Sequence, residues 1–227
     1  MKKPNFNKKI VLGFVFFLVN MMLGTEIYGQ VTKVWETQDV FMAPESVVFD
    51  STRNCLYVSN YNDEGGFQIK KDSLRNECIS KLDLDGNIQD FRWIDSLHNP
   101  TGITIFNNKL YIVEREWVTI VNIENKAVEN RIPVVGAVFL NDIVVDKDGT
   151  IYISDTFKPC IHRIKNMKSE VWYSDSLMNS PNGLLIEDNH LLVGNRDKAN
   201  LLSISLIDLK TKIIAKDLSD NIDGIKN

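Results

Sequence analysis

Histidine and cysteine are scarce in this chain of 227 residues, with three of each. His98, His162 and His190 stand singly and form neither a zinc spacing nor a catalytic dyad. They read as loop or surface residues rather than ligands. Cys55, Cys78 and Cys160 cannot all pair within one chain. Free buried thiols are one reading, and a Cys55–Cys78 bridge in an exported protein is the other. Basic residues interleaved with aromatics are missing, so no surface for stacking bases is visible. No apolar run beyond residue 30 keeps a helical period. The class is all-β.

The longest apolar run lies near the start. Lys2, Lys3, Lys8 and Lys9 precede Ile10 to Leu23, 14 residues interrupted by Gly13 and Asn20. A membrane-spanning helix needs roughly 20 apolar residues, so this run is short for one. A polar stretch with the small residue Gly29 at its end follows, which reads as a secretory signal over residues 1–29. Residues 30–227 are then the folded domain of an exported protein, periplasmic or extracellular, with no membrane contact after cleavage. The leader takes four lysines and one glutamate with it, leaving 22 basic and 29 acidic residues and a net charge of −7. Such a surface disfavours nucleic acid and anionic lipid and tolerates cations.

What the chain does have is a recurring phrase. Pro44-Glu45-Ser46-Val47 returns as Pro100-Thr101-Gly102-Ile103, Leu140-Asn141-Asp142-Ile143, Pro181-Asn182-Gly183-Leu184 and Ile222-Asp223-Gly224-Ile225. The steps from Glu45 through Thr101, Asn141 and Asn182 to Asp223 are 56, 40, 41 and 41 residues. A period near 40 in a strand-rich chain is the signature of propeller blades. Each phrase leads into paired apolar runs, as in Phe49 to Leu56-Tyr57-Val58 and Ile105 to Leu110-Tyr111-Ile112. Asn107-Asn108, Asp148-Gly149 and Asp188-Asn189 supply tight turns that tolerate positive φ. Further strands fit Ile79–Leu82, Val118–Ile123, Ile161–Ile164 and Leu202–Leu206, and Val34 to Phe41 reads as a first strand or two. The longer first step holds an insertion, Tyr61 to Asn76, of solvated composition.

Residues 30–227 hold about four and a half blades at this period. The chain stops where a fifth unit begins, which predicts a truncated product or a fragment. Open blade edges would then favour self-association.

Four of the phrases, in order and at blade spacing, resemble the gluconolactonase/regucalcin (SMP-30) family of six-bladed propellers over residues 35–225. The resemblance implies one divalent cation held by Glu45, Asn141, Asn182 and Asp223. Two carboxylates and two amide oxygens form a hard donor set suited to Ca²⁺, with Mg²⁺ or Mn²⁺ as other occupants. It also implies an exported hydrolase acting on a small lactone or ester, with Asp223 accepting a proton from the attacking water and Asn141 binding substrate. Where family members acting on sugar lactones carry an arginine, this chain has Phe139, which argues for a less polar substrate. The alternative is a non-catalytic, metal-stabilised propeller that binds a ligand or protein, or an inactive relative. On that reading Asn182 and Asp223 merely shape turns before Gly183 and Gly224.

Overall fold

Two asparagines turn the chain through the left-handed region at Asn107 and Asn108, with φ of 47° and 62°. That places β5 (Ile103–Phe106) against β6 (Lys109–Glu114) as a two-residue hairpin. Gly149 does the same work before β10, at φ 82°. The computed structural model describes residues 32–41, 43–61, 77–218 and 222–226. Two units are distinguished, Met1–Val34 and Trp35–Asn227. The expected leader and the insertion beyond Tyr61, residues 62–76, lie outside the described residues. Among the described residues there is no helix, and none long and apolar enough to cross a membrane.

The second unit contains four antiparallel sheets, each of four consecutive strands. The first is β1 (Ala43–Asp50), β2 (Cys55–Tyr61), β3 (Cys78–Leu82) and β4 (Ile88–Ile94). The second adds β7 (Trp117–Asn122) and β8 (Val128–Pro133) to β5 and β6. The third runs β9 (Leu140–Val145), β10 (Ile151–Asp155), β11 (Cys160–Lys165) and β12 (Lys168–Tyr173). The fourth runs β13 (Pro181–Glu187), β14 (His190–Asn195), β15 (Asn200–Ser205) and β16 (Thr211–Ala215). The inner strands are neighbours in chain order, β1 beside β5, β5 beside β9 and β9 beside β13. This is a propeller arrangement of four blades. The six blades that the resemblance implies are not what the described residues form.

Apolar packing is between blades rather than within them. Tyr57 and Trp93 of the first sheet share a cluster with Ile103, Leu110 and Ile112 of the second. Val113 and Val118 meet Ile143 and Ile153 of the third, and Ile161 meets Leu184, Val193 and Leu202 of the fourth. Middle strands therefore carry apolar residues on both faces, and all five residues of β10 are buried. Each blade rests on its neighbour's sheet, so burial at roughly 25 cal/mol per Å² accrues only when adjacent blades stack.

Two readings of the sequence need correction. Residues 34–41 form no strand; Trp35 packs its ring where Gly86 (φ 82°) lacks a side chain, and Phe41 stacks on Phe91 at 5.7 Å. Their apolar character serves side-chain packing onto the β3–β4 hairpin, not a backbone ladder. His162 is neither in a loop nor on the surface; it sits fully buried in β11. The three cysteines are free and buried.

Candidate functional site

Register brings the recurring phrases to one end of the blades. The start of each inner strand pairs with the end of the second strand, as in Pro44 with Asn60, Leu140 with Asp155 and Pro181 with Asn195. Short hydrogen bonds then tie one blade to the next at that end. The Ser59 hydroxyl donates to the Thr101 carbonyl at 2.6 Å, and the Gly102 amide donates to the Asn141 carbonyl at 2.7 Å. The Thr101 hydroxyl donates to the Leu140 carbonyl at 3.2 Å, and that of Thr156 to the Pro181 carbonyl at 2.9 Å.

These ties bring together residues far apart in sequence. A cleft of about 70 Å³ is lined by Glu45, Ser46, Thr101, Gly102, Asn141, Asp142, Asp223, Gly224 and Lys226. Three of the four residues expected to ligate a cation, Glu45, Asn141 and Asp223, share it. Asn182, the fourth, is not on its lining. It lies one residue before Gly183, whose Cα faces the Asp223 carbonyl so closely that a Cβ would overlap it. Asn182 is 5 % exposed, and its Oδ1 is buried without a hydrogen-bond partner. A buried carbonyl left so costs about 1–3 kcal/mol.

Asp142 is the buried acid of the cleft. Its Oδ2 accepts the Leu184 amide and its Oδ1 the Ile143 amide, both at 2.8 Å. Burial pushes its carboxyl above the usual carboxylate range; the Leu184 amide and the Lys226 ammonium oppose the shift, and Asp223 adds to it. Glu45 and Asp223 are exposed at the mouth. The donor set is hard oxygen throughout, three carboxylates and an amide with a second buried amide oxygen nearby. Those donor types suit a divalent cation of the Ca²⁺ type, but the three carboxylates are not drawn within 4.8 Å of one another, and Lys226 is the one opposing charge on the lining.

Phe139 faces elsewhere. It lines an adjoining niche of about 10 Å³, room for a single water, with Tyr61, Asn99, Thr101, Arg115 and Leu140. Its ring packs on Phe157 with centroids 4.9 Å apart.

Sequence reasoning missed a second repeat in the same region. Each second strand carries a buried polar side chain at or one residue before its end, Asn60, Glu114, Asp155 or Asn195. Each accepts a backbone amide from the start of its own blade: Ala43 at 3.3 Å, His98 at 2.6 Å, Phe139 at 2.9 Å and Asn179 at 2.9 Å. Asp155 also accepts Val138 at 2.8 Å and Lys158 at 3.2 Å. The signal was present as the phrases ending in these residues: Leu56-Tyr57-Val58-Ser59-Asn60, Leu110 to Glu114, Ile151 to Asp155 and Leu191 to Asn195.

In the third blade this clamp makes a buried cluster of Asp155, Cys160 and His162, their ligand atoms within 4.8 Å of one another. His162 Nε2 donates to Asp155 Oδ2 at 3.1 Å and lies 3.5 Å from Cys160 Sγ. Burial, helped by the Asp155 charge, pushes the Cys160 thiol up to about 11. A protonated thiol and a carboxylate already accepting three amides make a structural clamp, not a nucleophile.

The sequence matches no protein-family model and no curated protein. Solved structures share the fold. Virginiamycin B lyase from Staphylococcus aureus superposes with a TM-score of 0.59 at 13% identity, over 77% of this chain and 56% of that one. A nidogen/laminin complex gives 0.63 at 14% identity, over 82% and 68%. The extracellular domain of a proposed one-component system from B. thetaiotaomicron gives 0.56 at 16% identity, over 76% and 24%. The chain thus spans little more than half of the lyase and about a quarter of the last. At these identities the likeness is one of fold, and the protein is a β-propeller.

Proposed function

We propose that this chain is an exported, metal-dependent hydrolase of the lactonase or esterase type, acting at the acidic cleft. The observation that carries the reading is the meeting of Glu45, Asn141 and Asp223 on one lining, from three different repeats, beside the unpartnered Oδ1 of Asn182. Glu45, Asn141, Asn182 and Asp223 would hold the cation. When bound, Ca²⁺ supplies Lewis-acid polarisation of a lactone or ester carbonyl, with Mg²⁺ or Mn²⁺ able to do the same. Asp223, exposed at the mouth, would accept a proton from an incoming water. Asn141 offers its amide to the substrate side of the cleft. The acidic cleft adjoins a water-sized niche at Thr101. The S. aureus lyase supports the reading to this extent, that the propeller fold carries an enzyme activity elsewhere.

A second reading is a propeller that binds without turnover. The nidogen/laminin structure favours it, since a propeller of this fold there belongs to a protein complex.

Calcium titration of the purified protein, following melting temperature and bound metal together, tests the site. A cation at about 100 times its dissociation constant adds roughly 2.7 kcal/mol to the stability. Asn182→Ala and Glu45→Ala are each expected to lower the affinity at least about tenfold and to remove hydrolysis across a panel of lactones and esters. Turnover equal to wild type in either variant would overturn the hydrolase reading. Stoichiometric metal with no turnover on any ester would establish the binding reading instead.

A further inference from the structure

The segment 222–226 is two-sided although it forms no strand. Ile222 and Ile225 lie against Gly194 and Gly183 of the fourth blade, in space that a side chain at either glycine would fill. A Cβ on Gly183 would come within 3.0 Å of Ile225 Cγ1, and one on Gly194 within 3.4 Å of Ile225 Cδ1. Asp223, Gly224 and Lys226 line the acidic cleft instead. Apolar side chains thus anchor the segment to the blade, and charged ones are left to the cleft.

The cleft needs the positive charge that this segment brings. Asp142 is 6% exposed and rests its carboxylate on two backbone amides, those of Leu184 and Ile143. Amides stabilise a carboxylate without cancelling its charge, and a buried charge is costly unless it is paired. Glu45 and Asp223 add two more acidic groups to the lining, and Lys226 is the one basic group there among the described residues. Its ammonium lies near enough to Asp142 to favour the charged carboxylate. Leu184, whose amide binds Asp142, directly follows Gly183, against which the Asp223 carbonyl and Ile225 lie. The segment and the buried acid are therefore fixed to the same two residues. Lys226 itself is exposed, and a flexible four-carbon stem lets an ammonium enter or leave such a place without backbone movement.

We infer that Lys226 is a tethered counter-ion of the acidic cleft, which a divalent cation has to displace. The inference rests on the cation site proposed above and names the residue that sets its affinity and its choice of divalent over monovalent ions. One positive charge is already supplied by the chain, so K⁺ gains little by replacing it, whereas Ca²⁺ brings a second. The apparent affinity is then the intrinsic one, reduced to the fraction of molecules with the ammonium withdrawn.

Calcium is titrated calorimetrically into the full chain, in potassium chloride and in tetramethylammonium chloride of equal ionic strength. Lys226→Gln is expected to bind calcium about tenfold tighter than wild type, the change for an ammonium seated in about nine molecules of ten. Its affinity should fall when potassium replaces tetramethylammonium, while that of wild type hardly changes. Lys226→Arg keeps the charge and should stay near wild type. Lys210→Gln, which removes the same charge from the pair with Asp208, should do likewise. Unchanged or weaker calcium binding in Lys226→Gln, or an equal potassium effect in both proteins, overturns the inference. A second readout needs no metal. Lys226→Gln should lower the melting temperature of the metal-free wild type but not that of Asp142→Asn, where its partner charge is gone. Asp223→Asn is the second background, should Asp142→Asn not fold. Equal losses with and without the acid overturn the pairing. Unequal losses with no calcium bound by any variant keep the counter-ion and sink the cation site.

Discussion

Replacing Asp155 by alanine is expected to lower the melting temperature by about 10 °C or more. Asp155 is fully buried, and its two oxygens accept the Val138, Phe139 and Lys158 amides as well as His162 Nε2. Removing one partner of a buried charged network costs about 3–5 kcal/mol, because the groups left behind keep their desolvation without a partner. For a chain of this size each kcal/mol shifts the midpoint by about 2–4 °C. The sign of the pH dependence follows from the same contacts. Burial alone would raise the Asp155 carboxyl, but the His162 hydrogen bond and the Phe139 and Val138 amides outweigh it and hold it below the usual carboxylate range. A depressed folded pKa contributes stability that is complete above the unfolded value near 4 and lost as pH falls through the folded one. Thermal melts from pH 6 down to 2 should show wild type losing stability more steeply than Asp155→Asn. Parallel curves would mean that the carboxylate is not the charge being held.

Two glycines in equivalent phrases should answer to alanine in opposite ways. A Cβ on Gly102 would lie 2.6 Å from the Asn141 carbonyl oxygen and 2.7 Å from Asp142 Cα, both backbone atoms of a neighbouring strand. Neither can retreat without breaking the tie between two blades. Gly102→Ala is expected to destabilise the fold by about 1–3 kcal/mol, the usual cost of overpacking. At Gly183 the obstacle is the Asp223 carbonyl of the short segment 222–226, with Ile225 behind it. That segment forms no strand and can give way. Gly183→Ala is therefore expected to leave the melting temperature of the metal-free protein within a degree or two, while displacing Asp223 from the cleft. Calcium affinity should then fall about 10–100-fold, as it does when groups supporting a ligand are lost. Combining Gly183→Ala with Asp223→Ala should add little to either alone, since both remove the same oxygen. Equal melting losses at the two glycines, with calcium affinity untouched, would sink this contrast.

The middle of each blade was legible because its chemistry is uniform. Leu110-Tyr111-Ile112-Val113 and Ile151-Tyr152-Ile153 lie between two sheets, so both faces are apolar and the run stands out. The turns were legible through Asn107-Asn108 and Gly149, where positive φ selects the residue. The outer strands β4, β8, β12 and β16 escaped notice for the complementary reason. β8 reads Val128-Glu129-Asn130-Arg131-Ile132-Pro133 and buries only Ile132, so composition resembles a loop while backbone pairing with β7 makes it a strand. Glu45, Asn141 and Asp223 were found through their shared register, which is a one-dimensional property. Arg115 and Tyr61 could not be, because Tyr61 ends β2 while Arg115 opens the turn after β6, in two different blades. His162 looked like an isolated surface residue since its partner Asp155 is seven positions away across a hairpin.

Every sheet is built from strands contiguous in sequence, with blades over 43–94, 103–133, 140–173 and 181–215. Among the described residues no strand pairs with one from a distant part of the chain. Contacts of short sequence separation form early and cheaply in loop-closure entropy, so each blade is complete once its own fourth strand has been synthesised. Its exposed apolar face then waits only for the next blade, which emerges directly behind it. The protein is thus suited to assemble in the direction of translation, each sheet a template for its successor, and a defect in an early blade is inherited by all that follow.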